Sequence, residues 1–212
     1  MSLTYFGRRM DLLFFLELFA VVSGLGFIIL MIYQNIWCWP IGILSSLASI
    51  YLFYCLKLYA ESILYIYYVL IGIYGWYTWQ KSRGNDLLVQ LKSWQYNMIA
   101  AVVGVFLAIP VGFFLTSYTD GERPFADALS SVFSLVASYM EAHKVLSSWF
   151  FWIGINAFSI WLYLDRGLKM YSGLMVIYFL LSVAGYLQWK HSYESHQKTL
   201  SAASLADKTI QS

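Results

Sequence analysis

Amide, hydroxyl and aromatic side chains inside long apolar stretches are the residues of this sequence best suited to chemistry. Neutral hydrogen-bonding side chains lie near the ends of these stretches: Asn35, Ser45, Ser148, Asn156 and Ser159. Tryptophans one or two turns inside a stretch can stack on a planar ligand. Tryptophans at the ends are typical of the aromatic belt of a membrane protein, which we expect to hold more than half of them. Such groups hold a solute without reacting with it, so they predict a binding site.

Sequence motifs of enzymes and pumps are absent. The chain has no GxxxxGK[ST] loop, no HExxH and no GxSxG. Its histidines are too scattered for a metal site: His143, His191 and His196. Cys38 and Cys55 share one apolar segment and are expected to pack as small hydrophobes. We therefore predict no catalytic residue, no metal and no cofactor.

Composition places these residues in lipid. Sixty per cent of the 212 residues are hydrophobic and 11% are charged, which leaves too little polar surface for a soluble fold. Apolar runs of about 20 residues predict seven transmembrane helices, at 12–33, 36–56, 62–80, 96–118, 125–141, 146–164 and 171–189. The net charge of +2 forms no basic stripe, so nucleic acid is not an expected partner. The expected class is an all-α integral membrane protein in a single membrane domain.

An internal repeat organises the predicted helices. At an offset of 112, nine of the 23 positions in 37–59 are identical to those in 149–171, and at an offset of 110 the match continues from 62–79 to 172–189. This predicts a first three-helix repeat at 11–80, a loop and linker helix at 81–123, a second repeat at 124–190 and a polar tail at 191–212. Corresponding helices are four spans apart, so the repeats are expected to be parallel, as in SWEET carriers. That 3+1+3 plan favours transport of a small solute.

Two motifs in the repeats resemble the PnuC family of bacterial vitamin transporters. They are GWYTW at 75–79, which ends the third span, and the W-I-x-x-N pattern from Trp152 to Asn156 in the sixth. The resemblance extends from about Leu12 to Trp189. It implies a homotrimer in the bacterial inner membrane that moves its vitamin by facilitated diffusion, while a cytoplasmic kinase traps the solute by phosphorylation.

The resemblance also indicates the solute and its site. The namesake of the family carries nicotinamide riboside, whose flat cationic ring would be held by aromatic faces at about 0.5 to 2 kcal/mol per contact. Asn156 matches the family's amide in helix six. The aromatic candidates are Trp39, Tyr51, Trp149, Trp152 and Tyr163.

Three positions depart from the riboside transporters. Tyr65 stands where the family tends to have Gln, and Ser45 and Ser148 stand where it tends to have Asn. Hydroxyls in place of amides weaken the case for ribose recognition, so thiamine and riboflavin remain alternatives. A membrane subunit that does not itself transport also remains open.

Carboxylates inside the predicted spans need protein or water around them. Glu17 lies about a third of the way into the first span, where facing lipid would cost about 2.5 to 3.5 kcal/mol. It could pair with a cationic ring, relay a proton or bond a neighbouring helix. Asp127 matches a family Asp at the start of helix five. The other charged residues at span ends are expected to snorkel or pair in loops: Glu141, His143, Lys144, Asp165 and Arg166.

Overall fold

The chain folds into α-helices joined by short turns. The computed structural model describes the backbone of residues 2–55, 59–81, 87–119 and 123–210, and the side chains of residues 12, 14–55, 62–81, 87–119 and 123–202. These residues form seven helices: α1 (Ser2–Ile32), α2 (Cys38–Cys55), α3 (Tyr59–Lys81), α4 (Trp94–Tyr118), α5 (Pro124–Ala142), α6 (Ser148–Asp165) and α7 (Lys169–Ile210). The helices belong to two compact units, residues 1–85 and residues 86–212.

Four segments of these helices are long and apolar enough to cross a membrane: Phe14–Ile32, Cys38–Cys55, Trp94–Tyr118 and Lys169–Ala202. Helices α3, α5 and α6 contain more Tyr, Trp and Ser, which lowers their hydropathy. The structure thus confirms an all-helical chain with a helix at each of the seven predicted positions. Helix α7 continues to Ile210 instead of ending near Trp189, because no Gly or Pro follows Gly185 in this helix to break it.

Unit 1 is a layer of three helices with α2 in the middle, since α2 contacts both α1 and α3. The indole of Trp39 is buried and lies edge-on to Trp79 of α3, with 5.5 Å between ring centroids. A Cβ atom on Gly75 would overlap that indole. Ser45 joins α2 to α1, because its hydroxyl donates a 2.9 Å hydrogen bond to the backbone oxygen of Ala20.

Unit 2 has the same three-helix layer, with α4 packed on its first helix. Helix α6 contacts both α5 and α7, and α4 contacts α5. Trp149 is fully buried and lies edge-on to Trp189, with 5.4 Å between ring centroids. A Cβ atom on Gly185 would overlap the Trp149 indole. Before α4, Gln90 exchanges backbone hydrogen bonds of 2.9 Å with Lys144 and Leu146 of the α5–α6 turn.

The two units follow one register at an offset of 110 along the whole repeat. Helices α2 and α6 both have 18 residues and start at Cys38 and Ser148. The turns before them place Gln34 and Lys144 at φ of 54° and 51°. The six buried positions of α2 recur in α6 at the same spacing: 38, 39, 45, 46, 49 and 52 correspond to 148, 149, 155, 156, 159 and 162.

The predicted offset of 112 in the first helix of this match is therefore wrong. It paired Trp37, which is 59% exposed, with Trp149, which is fully buried. The structural counterpart of Trp149 is Trp39. Both helices are rich in the same apolar residues, so identities accumulate by chance at neighbouring offsets, and only burial distinguishes the correct one.

Burial of tryptophan also differs from the prediction of a dominant belt. Four of the eight tryptophans predicted near span ends are at most 5% exposed: Trp39, Trp79, Trp149 and Trp189. They pack inside the units because glycines on the facing helices leave room for an indole. The belt therefore holds no more than half of these residues.

At the end of unit 2 that lies away from the α5–α6 turn, ion pairs join the start of α5 to the end of α6. Arg166 pairs with Asp127 at 2.8 Å, and Arg123 pairs with Asp165 at 2.5 Å. The Arg123 guanidinium also lies 5.4 Å from the ring centroid of Trp161. These contacts confirm loop pairing for Asp165 and Arg166.

We expect Gly185→Ala to lower the melting temperature of the purified protein, because its new methyl group would press on the Trp149 indole. Overpacking of this kind costs about 1 to 3 kcal/mol. Gly173→Ala on the same helix is the matched control, since a Cβ there has nothing within 4 Å. Thermal unfolding in detergent measures both variants, and equal melting temperatures would contradict the close packing at Gly185.

Candidate solute-binding site

Four of the predicted site residues lie in the first half of α6: Ser148, Trp149, Trp152 and Asn156. Trp149, Trp152 and Asn156 are spaced by three and four residues, so they share one face of the helix. Trp149 and Ser148 are fully buried, and Asn156 is 7% exposed. Trp152 is half-buried. The turn that leads into α6 is itself inside the unit, with Val145, Leu146 and Ser147 all buried.

Asn156 is held in place by α7. Its amide nitrogen donates a 3.0 Å hydrogen bond to the hydroxyl of Ser182, which in turn donates a 2.8 Å hydrogen bond to the backbone oxygen of Tyr178. Ser182 is fully buried. The amide oxygen of Asn156 accepts no hydrogen bond from the described residues. It is therefore a fixed acceptor on the same helix face as the two indoles.

Four buried polar atoms, one in unit 1 and three in unit 2, have no hydrogen-bond partner among the described residues. They are the Ser148 hydroxyl and the indole nitrogens of Trp39, Trp149 and Trp152. Burying such a group without a partner is costly unless a ligand or water supplies the bond. The Trp39 and Trp149 nitrogens occupy equivalent positions, so they reflect packing that both units share.

Ser148 and Trp152 are different, because their counterparts in unit 1 are Cys38 and Gly42. Neither counterpart carries a strong hydrogen-bonding side chain. The unpaired hydroxyl and the unpaired Trp152 nitrogen are therefore particular to unit 2. They are what the candidate site adds to the shared fold.

Glu141 in the last turn of α5 belongs to the same neighbourhood. Its side chain is 3% exposed, so the expectation that it snorkels from a helix end is wrong. The indole nitrogen of Trp152 is its polar neighbour, although the geometry is not that of a hydrogen bond. Sequence reasoning missed this residue because the following turn looked like a solvated loop, whereas the structure buries it.

The predicted residues of unit 1 have other partners. Trp39 packs on Trp79, and Ser45 is bonded to α1. Tyr65 lies 5.3 Å from Phe53 and 5.5 Å from Tyr68, measured between ring centroids. These residues line the layer of unit 1 without forming a polar cluster like the one around Asn156.

Tyr51 and Tyr163 lie far along their helices from the buried indoles. Tyr163 follows Trp149 by 14 residues, which is about 21 Å of helix, and Tyr51 follows Trp39 by about 18 Å. Tyr51 is 51% exposed, and Tyr163 contacts Tyr171 at 5.9 Å between centroids. The structure does not bring either tyrosine to the level of the indole in its own unit.

Glu17 is exposed on α1. Its counterpart in unit 2 is Asp127, which pairs with Arg166 near the start of α5. Glu17 precedes Met31, the counterpart of Glu141, by 14 residues, or about 21 Å of helix. It therefore lies toward the end of its unit opposite to the buried turn.

A groove of about 370 Å³ runs along another face of α6. It is lined by Leu129, Ser130, Phe133, Phe150, Phe151, Gly154, Ile155 and Phe158. Phe133 and Phe151 stack there at 6.0 Å between centroids. The one hydroxyl, on Ser130, already donates to the backbone oxygen of Asp127. The groove can hold apolar surface, but its described side chains cannot select a polar solute.

Apolar helices arranged in two units of matching register define a multi-pass, all-helical membrane protein. Residues 14–191 match the family model described as nicotinamide mononucleotide transporter. The chain therefore belongs to this family of vitamin transporters, the PnuC family.

Individual relatives agree with this assignment. The chain is 26% identical over 166 residues to the riboflavin/roseoflavin transporter RibM of Streptomyces davaonensis, covering 74% of this chain and 75% of that one. It is 23% identical over 205 residues to the nicotinamide riboside transporter PnuC of Escherichia coli, covering 84% and 85%. The crystal structure of the vitamin B3 transporter PnuC superposes with a TM-score of 0.69 at 22% identity, covering 86% of this chain and 83% of that one. It has the same fold.

We expect Asn156→Ala to weaken binding of the tightest-binding vitamin by more than tenfold, because a solute hydrogen bond to the amide would be lost. Ser182→Ala is the comparison variant: it keeps the Asn156 amide but removes the bond that orients it, so we expect a smaller loss of affinity. Isothermal titration of both variants against a vitamin panel measures the effect. Unchanged affinity of the Asn156 variant would remove this residue from the site.

Proposed function

We propose that this protein carries nicotinamide riboside across the bacterial inner membrane. The observation that carries the proposal is the cluster in the first half of α6, where the amide of Asn156 shares a helix face with two indoles. The same half of the helix carries the Ser148 hydroxyl, and both this hydroxyl and the Trp152 nitrogen lack a partner among the described residues. Indole faces suit a flat cationic ring, and the amide and hydroxyl suit the sugar hydroxyls. The similarity to the Escherichia coli nicotinamide riboside transporter supports this choice.

We further propose that all seven helices span the membrane and that the two three-helix repeats are parallel about an axis along the membrane normal. The common register of burial in the two units supports a true repeat. In carriers of this plan the solute binds between the repeats, and rocking of one against the other alternates its access. The proposed site then includes Trp39, Ser45 and Tyr65 from unit 1, with Tyr51, Tyr163 and Glu17 as more distant candidates.

The proposed mechanism is facilitated diffusion in a homotrimer. No nucleotide-binding loop supplies energy in this sequence. Accumulation would then depend on a cytoplasmic kinase that phosphorylates the vitamin. The added phosphate carries negative charge, which prevents return through a site built for the uncharged hydroxyl.

Thiamine is the second candidate, favoured by the side chain at position 148. A buried hydroxyl on Ser148 offers less to a ribose diol than an amide would, and one hydroxyl suits the single primary hydroxyl of thiamine. Thiamine also has a flat cationic ring. Riboflavin is a third, because RibM is similar to this chain.

We expect purified protein to bind nicotinamide riboside or thiamine with micromolar affinity or better and with quenching of tryptophan fluorescence. Quenching follows from contact between the solute ring and Trp152, the indole of the cluster that is only half-buried. A fluorescence titration with each of the three vitamins measures it. Binding of an unrelated solute, with none of these vitamins bound, would refute the proposal.

We expect flux of the bound vitamin into sealed liposomes to be insensitive to proton and sodium gradients, because diffusion through the carrier needs only the solute gradient. Uptake of radiolabelled vitamin with and without each ion gradient measures it, with protein-free liposomes as the control. Dependence on a gradient would show ion coupling and direct attention to Glu17 and Asp127. Binding without flux would indicate a membrane subunit that does not transport.

A further inference from the structure

We infer that Glu141 is the counter-ion of the site and selects solutes with a cationic ring over neutral rings of the same shape. The inference rests on the proposed function and deepens it, because it names the charge of the solute class. It stands on three features of the structure: the burial of the carboxylate, its neighbours and its counterpart in unit 1.

The carboxylate is enclosed by the protein. Glu141 is 3% exposed, and the residues that flank it, Met140 and Ala142, are at most 1% exposed. A buried carboxylate loses most of its hydration and is retained only where a partner compensates. The ion pairs among the described side chains use other acids, namely Asp165, Asp127 and Glu194. Within the described chain, therefore, no basic side chain neutralises Glu141.

A polar neighbour of Glu141 belongs to the proposed solute site. Trp152 presents its indole nitrogen toward the carboxylate. One turn further along α6 comes Asn156, and the unpaired hydroxyl of Ser148 begins the same helix. A cationic ring stacked on the Trp152 indole would gain both a cation–π contact and attraction to the Glu141 carboxylate. A neutral ring would gain only the stacking.

Unit 1 shows that the fold does not need an acid at this position. The counterpart of Glu141 is Met31, which is fully buried. Both residues accept the same 2.9 Å backbone hydrogen bond from the residue three positions on, Gln34 in unit 1 and Lys144 in unit 2. An apolar side chain therefore fits the same turn. The indole beside the acid is also an addition, since Gly42 is the counterpart of Trp152.

The test compares two solutes that differ in ring charge and share their sugar. Nicotinamide riboside is cationic, and its 1,4-dihydro form is neutral. We expect the wild-type protein to bind the cation at least tenfold more tightly. For thiamine, the matching neutral probe is the analogue whose thiazolium is replaced by an uncharged ring. Titration calorimetry on the full-length protein in detergent measures all four affinities.

Two variants of Glu141 then isolate the charge. Glu141→Gln keeps the shape, and Glu141→Met installs the residue that unit 1 already accommodates. We expect both to weaken binding of the cation at least tenfold and to leave the neutral probe within twofold of wild type. Met31→Leu is the control in unit 1 and should change neither affinity. Melting temperatures are recorded for every variant.

The outcomes separate this inference from the proposed function. If the wild type binds a cationic vitamin but either variant keeps the tenfold preference, the counter-ion role is wrong and the proposed function stands. If both variants fail to fold, the acid is needed for packing and the inference is overturned. If the wild type binds neither cationic vitamin, or prefers neutral riboflavin, both proposals fail together.

Discussion

The fit of an indole against a glycine is the contact on which the rest of this structure depends. In each unit one tryptophan of the middle helix lies over a glycine of the next helix and edge-on to a second tryptophan four residues later. The glycine lets the two helices approach closely, and the indoles fill the space that remains. Because both indoles are buried, the register between the helices is fixed at this level. Neighbouring positions are then free to diverge without loss of the fold.

The two units differ in the side chains at three equivalent positions, and unit 2 has the polar or aromatic residue at each. At equivalent places, unit 1 has Met31, Cys38 and Gly42, and unit 2 has Glu141, Ser148 and Trp152. An apolar or small side chain has been exchanged for a polar or aromatic one at each place, on a backbone that keeps its turn and its buried positions. The polar side chains at these three places therefore belong to unit 2, on a backbone plan that both units share.

Sequence patterns predicted the helices well, and they predicted part of the candidate site described above. Hydropathy located all seven helices, and the W-I-x-x-N pattern led to Trp152 and Asn156. Periodicity alone could not set the register of the repeat, since apolar identities occur by chance at adjacent offsets. It also could not reveal Glu141, because a carboxylate beside a predicted loop looks solvated until the turn is seen to be buried. Spacing along a helix also needs the structure to be judged, since Tyr163 lies in the same helix as Trp149 but about four turns from that indole.

The length of α7 has a mechanical consequence. Its 42 residues correspond to about 63 Å of helix, roughly twice the hydrocarbon thickness of a bilayer. Trp189, at the middle of α7, packs against Trp149 of α6. The C-terminal half of α7 extends beyond this contact. A tilt of about 10° at this contact would displace the far end by about 5 Å. Any small reorientation of the buried layer would therefore produce a larger displacement at the distal turns, where a probe would detect it.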